Sequence, residues 1–282
     1  MGRKLCPHIK IVRDSAGSRS GHHKFRSLLR PAPRLFLECG LMSETERQRL
    51  EGVAEWFSTF DGVNGLIIDY TARYLSDLAR GPAIAEMGCA DGRMTQTLAD
   101  RFERVTAIDA SATQIDRAKD RMGARDNVTF VNTFFEAMPN DLGLFNTVIQ
   151  AHILEHVEDP VATLKAGADL LIDEGILIAQ VPHAMSLHRR IGVAMGLIKS
   201  VTGLSKADQK LGHRRVYTKK ALVADATAAG LQVIDDGGFF IKPLSNAQME
   251  TWSPDLLSAF FEVGRTMKEY AAEIYLVLRR KQ

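Results

Sequence analysis

From Ala83 onward, short apolar runs alternate with amphipathic helical patterns, and this alternation constrains the fold more than any other feature. Parallel strands need helical crossovers between them, so the pattern predicts a doubly wound, mainly parallel α/β sheet. Ligands bind such sheets at the carboxyl ends of the strands. The predicted strands are Ala83–Met87, Val105–Asp109, Val128–Val131, Phe145–Gln150, Ile176–Val181, Leu231–Asp235 and Ile274–Leu278.

Two helices are predicted ahead of the first strand. One begins at Ser43, where Glu46 completes a capping box. The other ends at Gly81-Pro82. Residues 1–42 are basic and rich in scattered Gly, Ser and Pro, which predicts a disordered tail followed by one domain over 43–282. Two alternatives for the tail are a transit peptide, although no amphipathic helix is evident, and a chain start at Met42.

The segment between the fifth strand and the next helix, about 184–217, is too long for an ordinary connection and predicts a lid over the substrate. Residues 184–220 hold nine Lys or Arg and one acidic residue. Arginine forks suit carboxylate and phosphate groups. The predicted substrate-binding residues are Arg189, Arg190, His213 and Arg214. A solvated lid surface is the alternative interpretation.

The composition indicates an ordinary soluble protein, with 45% hydrophobic and 25% charged residues. No apolar run approaches the roughly 20 residues that span a bilayer. Three irregularly spaced cysteines make neither a disulfide framework nor a zinc ribbon. We therefore expect a cytoplasmic protein without a membrane span.

The first strand ends in "EMGCADG", where Gly88 and Gly92 flank a tight turn into a helix. Glycine permits unusual backbone angles and close approach of a ligand. The second strand ends at Asp109, and a carboxylate at this place suits the hydroxyls of a ribose. Each feature alone is typical of an ordinary turn or helix cap. Their order and spacing together favour a nucleoside-containing cofactor.

With these motifs the sequence resembles the class I S-adenosylmethionine-dependent methyltransferases, closest to the small-molecule O- and N-methyltransferase branch. "EMGCADG" is similar to the family motif E-x-G-C-G-x-G, with Ala90 at a common glycine position. "IDAS" is similar to the ribose-binding motif, and "FNTVIQAHILEHVEDP" to the fourth strand and its turn. The likeness covers residues 83–183 well. It implies a Rossmann-like, seven-stranded sheet whose last strand, 274–278, is antiparallel.

The resemblance implies S-adenosylmethionine as cofactor and S-adenosylhomocysteine as product. It places Glu86, Gly88 and Gly92 on the methionine side, Asp109 on the ribose and Gln150 beside the methionine moiety. At the adenine position, Thr133-Phe134 replaces a common Gly-Asp pair. Phe134 or Phe135 is therefore expected to stack on adenine, with core packing as the alternative.

Three histidines are candidate catalytic bases. They are His156, which is the first choice, His152 in the same turn and His183 after the fifth strand. A hydroxyl acceptor needs a general base, whereas an uncharged amine does not. The pattern H-x-x-E-H over 152–156 is typical of zinc proteases only on a long helix, and here it follows a strand and stops at Pro160. A divalent metal at this turn is a minor hypothesis, and no metal ligand is assigned.

The predicted activity is methyl transfer to a hydroxyl, less favourably an amine, of a small acidic metabolite such as a sugar derivative or a carboxylated intermediate. A nucleic-acid methyltransferase is one alternative, disfavoured because the fourth strand lacks an Asn/Asp-Pro-Pro-aromatic motif and no Pro-Cys pair occurs. A methyltransferase-fold protein that uses the cofactor for another reaction is the other.

Overall fold

The computed structural model describes residues 34–60 and 62–281, and only the helical backbone of residues 34–43. Most of the predicted basic tail lies outside these residues. The first helix, α1, spans Arg34–Ala54, so the helix start expected at Ser43 is wrong. Glu46 does not cap a helix there, because its carboxylate accepts from the Arg49 guanidinium at 2.6 Å and 2.9 Å. Residues Met42–Gln282 form one compact unit.

The predicted sheet is confirmed in the described part of the chain. Its seven strands lie in the order β3-β2-β1-β4-β5-β7-β6. All pair in parallel except β7, which is antiparallel to both of its neighbours. The bounds are β1 Ala83–Met87, β2 Arg104–Asp109, β3 Val128–Asn132, β4 Phe145–Ala151, β5 Leu171–Pro182, β6 Leu231–Phe239 and β7 Glu273–Arg280.

Helices cover both faces of the sheet. On one face, Ile84 of β1 packs with apolar residues of α2, α3 and α10. On the other, Ala85 and Met87 pack with α5 and α8, as the alternation of side chains along a strand requires. The bounds are α2 Gly62–Leu78, α3 Arg93–Ala99, α4 Ala112–Met122, α5 Pro160–Asp169, α6 Leu187–Ala194, α7 Lys206–Leu211, α8 Lys219–Ala228, α9 Asn246–Met249 and α10 Pro254–Thr266.

The strand order reverses between β1 and β4, and this reversal positions the site. The chain passes from β1 outward through β2 to β3, and then returns to pair β4 with the other edge of β1. The loops after β1 and β4 therefore lie side by side at the carboxyl end of the sheet, where doubly wound folds bind ligands.

The segment between β5 and α8 contains α6 and α7. It returns to the sheet edge at Tyr217, which bridges to His183. Its role as a lid stays a prediction. None of the helices in residues 34–60 and 62–281 is long and apolar enough to cross a membrane.

Candidate active site

The turn after β1 needs its two glycines for packing as well as for backbone shape. Gly88 has φ 86°, and a Cβ there would lie 2.2 Å from Ile153 Cγ2. Gly92 has φ 87°, and a Cβ would lie 2.9 Å from Ala118 Cβ. Ala90 between them also has a positive φ of 44°. Gly88, Ala90 and Gly92 thus lie in the left-handed region, and the N–H groups of Gly88 and Cys89 donate to the Ile108 carbonyl oxygen at 2.8 Å and 3.2 Å.

Asp109 joins this turn to the loop after β2. Its carboxylate accepts from the main-chain N–H of Ala90 and of Ser111, each at 2.9 Å. Burial raises the pKa of the Asp109 carboxyl, although these donors oppose the rise. A carboxylate can accept about four hydrogen bonds, so the two from Ala90 and Ser111 leave acceptor positions of Asp109 free for ribose hydroxyls.

Glu86 lies in β1 with 2% of its surface exposed, and Thr95 of α3 donates to its carboxyl group at 2.6 Å. Burial raises the pKa of Glu86 to about 8, so the side chain carries a proton at neutral pH. The group therefore supports the start of α3 beside the glycine turn. Its contact with the methionine side of the cofactor stays a prediction.

The two phenylalanines that are expected at the adenine have different surroundings. Phe135 packs against the core cluster on the α5 face of the sheet. Phe134 is half-buried and has the Arg47 guanidinium 4.7 Å from its ring centroid. Arg47 also donates to the Ala110 carbonyl oxygen at 3.0 Å. This arrangement favours Phe134 as the stacking partner and core packing for Phe135.

Gln150 is fully buried and its side chain turns toward α5. The amide nitrogen donates to the Thr163 carbonyl oxygen at 2.8 Å and lies 3.2 Å from the Met87 sulfur. The side chain therefore fills the core between β4 and α5. The expected contact of this amide with the methionine moiety is not supported.

Two anchors of the loops after β1 and β2 escaped the sequence reasoning. Asp91, fully buried inside the glycine turn, accepts from Ser58 Oγ at 2.8 Å and from the Arg121 guanidinium. Glu51 of α1 accepts from Ser111 Oγ at 2.9 Å and from the Ala112 main chain at 2.7 Å. The helix and loop over 44–60 are thereby joined to the loops after β1 and β2. The "CADG" stretch signals Asp91, but nothing local to Glu51 reveals its partner.

The turn after β4 begins at His152, whose φ of 55° redirects the chain. Its main-chain N–H donates to the Gln180 carbonyl oxygen at 3.0 Å. Its Nδ1 lies 3.5 Å from Glu155 Oε1, and its Nε2 lies 3.9 Å from Glu273 Oε2. Burial lowers the pKa of His152, but the Glu273 and Glu155 carboxylates outweigh it and raise the pKa overall.

Glu155 is 1% exposed, and neither of its carboxylate oxygens has a hydrogen-bond partner in the described part of the chain. The contact with His152 is close enough for an ion pair but lacks hydrogen-bond geometry. Burial would raise the pKa of Glu155, yet the His152, His156 and His213 side chains hold it below its ordinary value. Burial lowers the pKa of His156 to about 4.

His156 and His213 meet although they lie far apart in the sequence. Their rings are perpendicular with centroids 4.6 Å apart. Glu155, His156 and His213 each offer one ligand atom such that all three atoms lie within 4.8 Å of one another. His152 completes a cluster of three imidazoles around one buried carboxylate.

Main-chain hydrogen bonds bring His213 to this place. The Arg214 N–H donates to the Glu155 carbonyl oxygen at 2.7 Å, and Arg214 Nε donates to the His156 carbonyl oxygen at 2.9 Å. Arg215 donates to the Leu154 carbonyl oxygen at 2.7 Å. The end of the 184–217 segment is thus fastened along the turn after β4.

A family model described as a methyltransferase domain matches residues 62–236, more than half of the 282 residues. The chain belongs to the methyltransferase family. It is a class I S-adenosylmethionine-dependent enzyme, and S-adenosylmethionine is its cofactor, which confirms the resemblance.

This methyltransferase is 26% identical over 221 residues to a ubiquinone biosynthesis O-methyltransferase of Dinoroseobacter shibae, covering 71% of this chain and 85% of that protein. It is 29% identical over 191 residues to a protein of the same name from Xanthomonas euvesicatoria pv. vesicatoria, covering 65% and 76%.

Solved structures show the same fold. Magnesium protoporphyrin IX methyltransferase from Synechocystis PCC 6803, with bound S-adenosylhomocysteine, aligns with a TM-score of 0.52 at 14% identity. The alignment covers 88% of this chain and 100% of that chain. An S-adenosylmethionine-dependent methyltransferase from Mesorhizobium loti aligns with a TM-score of 0.54 at 16% identity, covering 76% and 100%.

The arginines expected to bind substrate in this methyltransferase hold the 184–217 segment together instead. Arg189 is 6% exposed, donates to the Val201 carbonyl oxygen at 2.7 Å and pairs with Asp208 at 3.0 Å. Arg190 donates to the Met185 carbonyl oxygen at 2.7 Å. Arg214 is engaged with the turn after β4, as described above. Main-chain carbonyls and acids already occupy the guanidinium groups of Arg189 and Arg214, so their predicted substrate role is not supported. Arg190 donates through Nε alone in the described residues, and its substrate role stays a prediction.

His183 does not join the histidine cluster. It is 5% exposed, and its Nδ1 lies 3.1 Å from the Ala271 carbonyl oxygen. It borders a separate cleft together with Arg190 and Lys219. Its expected role as a base has no support from this placement, because its Nδ1 is engaged with the Ala271 carbonyl oxygen and the residue borders that separate cleft.

Lys242 is a cation that sequence reasoning missed. It follows β6, is half-buried, and makes no hydrogen bond or ion pair with any residue of 44–60 or 62–281. Burial lowers its pKa, against the opposing effect of Glu273 and Asp208. Its charge also acts on His152 and contributes to the lowered pKa of His188. Lys242 is thus a partly buried cation that faces the Glu273 and Asp208 carboxylates without an ion pair to either in the described residues, beside the histidine cluster.

Proposed function

We propose that this methyltransferase moves the methyl group of S-adenosylmethionine to a hydroxyl of a small, anionic molecule. The observation that carries this proposal is the cluster of His152, Glu155, His156 and His213 beside the glycine turn. The two loops share the carboxyl end of the sheet, where cofactor and acceptor must meet.

An oxygen acceptor is favoured over a nitrogen acceptor because a hydroxyl must lose its proton when it is methylated. A sulfonium methyl is already activated, so positioning supplies much of the rate. A hydroxyl nucleophile needs a base in addition, whereas an uncharged amine does not. A cluster of imidazoles and carboxylates at the acceptor position supplies that base. The name O-methyltransferase carried by the related proteins supports the same choice.

His152 is the better-placed base, although the sequence favoured His156. A third of the His152 side chain is exposed, and carboxylates lie near both of its ring nitrogens. His156 packs its ring against His213. In the proposed step, His152 takes the hydroxyl proton while the acceptor oxygen bonds the methyl carbon. The carbon–sulfur bond breaks, and S-adenosylhomocysteine leaves.

Lys242 supports an anionic acceptor. The Lys242 ammonium makes no ion pair with the carboxylates near it in the described residues, so it gains from a ligand that brings a negative charge into direct contact. Burial and the nearby charge of Lys242 both lower the pKa of His188, whose Nδ1 is buried without a hydrogen-bond partner in the described residues. A carboxylate or phosphate on the acceptor would pair with the Lys242 ammonium.

The placement of two arginines weakens the nucleic-acid alternative. Arg189 and Arg214 of the 184–217 segment are engaged by internal carbonyls and acids, whereas Lys199 and Lys206 are exposed. Binding to a phosphate backbone needs cations that can reach solvent. The small-molecule proposal does not depend on these arginines.

The proposed function is tested by incubating the purified protein with isotope-labelled S-adenosylmethionine and matched acceptors. The set pairs hydroxylated aromatic and aliphatic carboxylates with their amino and their uncharged counterparts. We expect mass spectrometry to find the label on oxygen, and only when the acceptor carries an anion. Label on nitrogen alone, or equal labelling of the uncharged acceptors, would contradict the proposal.

A further inference from the structure

We propose that Glu155, His156 and His213 bind a divalent cation of the zinc class. The inference deepens the proposed function, because the cation would share the site at which the hydroxyl is activated. Its binding can nevertheless be measured without any acceptor.

The first argument is the distance between the ligand atoms. One oxygen of Glu155 and one nitrogen each of His156 and His213 lie within 4.8 Å of one another. Ligand bonds of about 2.1 Å in a tetrahedral zinc site place neighbouring ligand atoms about 3.4 Å apart. Small rotations of three side chains therefore bring these atoms into coordination distance.

The second argument is the unpartnered carboxylate. Glu155 is 1% exposed, and neither of its oxygens accepts a hydrogen bond in the described residues. A buried carboxylate without partners is costly, and such groups are normally paired or coordinate a metal. His152 Nδ1 lies 3.5 Å from Glu155 Oε1 without making a hydrogen bond, so a cation between Glu155 and the two histidines would give the carboxylate the direct contact that it lacks.

The third argument is the carboxylate behind His213. Asp208 Oδ1 lies 3.3 Å from His213 Nδ1, which leaves Nε2 for the cluster. Asp208 is itself held by the Ser205 N–H at 2.7 Å and by Arg189 at 3.0 Å. Metal-binding histidines commonly donate their second ring N–H to a carboxylate, which fixes the tautomer and the ring orientation. Asp208 is thus a positioning residue for His213.

The donor set indicates the class of metal. Magnesium and calcium prefer oxygen ligands, whereas two imidazoles and one carboxylate suit zinc and its neighbours in the transition series. Three protein ligands also leave a fourth position open, as in catalytic zinc sites. A bound cation would lower the pKa of a hydroxyl placed there. His152, outside the three ligands, stays available to receive the proton.

The test begins with the full-length protein stripped of metal by a chelator and titrated with zinc chloride and magnesium chloride. We expect one zinc per chain and zinc affinity at least about 100-fold above that for magnesium. Cobalt(II) should give the intense visible absorption of a four-coordinate site. Failure to bind zinc, or octahedral cobalt spectra, would overturn the proposal.

Substitutions of the proposed ligands and of Asp208 test whether the ion binds at this cluster. Glu155→Gln and His213→Ala should lower zinc affinity more than about 100-fold, and Asp208→Asn about 10- to 100-fold. The double variant His22→Ala/His23→Ala is the control, because an adjacent histidine pair elsewhere in the chain could capture zinc. Unchanged affinity in the cluster variants, with loss in the control, would contradict the site. Retained S-adenosylhomocysteine affinity shows that each variant is folded.

The two proposals can fail separately. Methyl transfer to a hydroxyl without zinc binding would remove the metal site and leave the proposed function. Stoichiometric zinc binding at the cluster, with label found only on nitrogen acceptors, would remove the proposed function and leave the metal site.

Discussion

The main-chain N–H of Arg214 donates to the carbonyl oxygen of Glu155 at 2.7 Å. This bond joins the end of the 184–217 segment to the turn after β4, and the Arg214 side chain reinforces it by donating to His156 across 58 residues of sequence. His213, the residue before Arg214, is carried into contact with His156 as a result. A segment that is basic in sequence thereby completes the histidine cluster.

Asp109→Ala should lower the affinity for S-adenosylhomocysteine at least about 100-fold. Two ribose hydrogen bonds to a carboxylate would be lost, each contributing about 1.5 kcal/mol or more. Isothermal titration calorimetry measures the change, with Asp100→Ala, an exposed aspartate elsewhere, as the matched control. Near-normal affinity of the Asp109 variant would remove its assignment to the ribose.

Phe134→Ala should mainly lower the cofactor affinity, whereas Phe135→Ala should mainly lower the stability of the fold. Loss of a stacking ring at Phe134 should weaken S-adenosylhomocysteine binding about tenfold and change stability little. Loss of the core ring at Phe135 should lower the free energy of unfolding by about 2–3 kcal/mol. Calorimetry and urea unfolding of both variants provide the comparison. A larger affinity loss in the Phe135 variant would reverse the assignment.

His152→Ala should lower kcat about 100-fold or more while sparing cofactor affinity, because a general base acts on the acceptor alone. The loss should shrink as the assay pH rises toward the pKa of the acceptor hydroxyl, since the ionised acceptor needs no base. His183→Ala serves as the comparison, because His183 lies outside the cluster. A pH-independent loss would indicate a structural effect instead.

Lys242→Met should raise KM for an anionic acceptor about tenfold with a small change in kcat. The variant keeps the apolar stem but removes the charge that the substrate anion would pair with. Arg190→Met is the matched control and should leave KM unchanged, because Arg190 lies at the separate cleft. Steady-state kinetics on an anionic acceptor and its uncharged analogue measure both effects; equal KM changes for the two acceptors would count against a charge contact.

Glu86→Gln should flatten the pH dependence of stability. The folded-state pKa of Glu86 is about 8, above its ordinary value of 4.5, so the folded protein binds more protons than the unfolded chain between these values. Stability from this group is therefore full below about pH 4.5 and is lost as pH rises toward 8. Relative to the variant, the wild-type free energy of unfolding should fall by about 1.4 kcal/mol per pH unit in this window.

Urea unfolding of the two apoproteins at several pH values between about 5 and 8 measures that difference. A constant offset between them would show that Glu86 is ionised when folded.

The antiparallel last strand was implied by the family resemblance, whereas the sequence by itself determined the seven strands, the glycine turn and the acid at the end of β2. These features are local: the alternation of apolar residues, the backbone freedom of Gly88 and Gly92, and the order of motifs are all carried by neighbours in the chain. The same local signals favoured a helix start at Ser43, which the upstream turns of α1 overrode.

Only the tertiary structure decided which side chains work together. Gln150 ends a strand as expected, but packing against α5 determines where its amide points. The sequence shows only that Arg189 is basic. The Val201 carbonyl oxygen and the Asp208 carboxylate bind its guanidinium, so it stabilises the fold instead of binding a substrate. His213 reaches His156 because a long segment folds back, and such non-local contacts depend on the whole packed core rather than on adjacent residues.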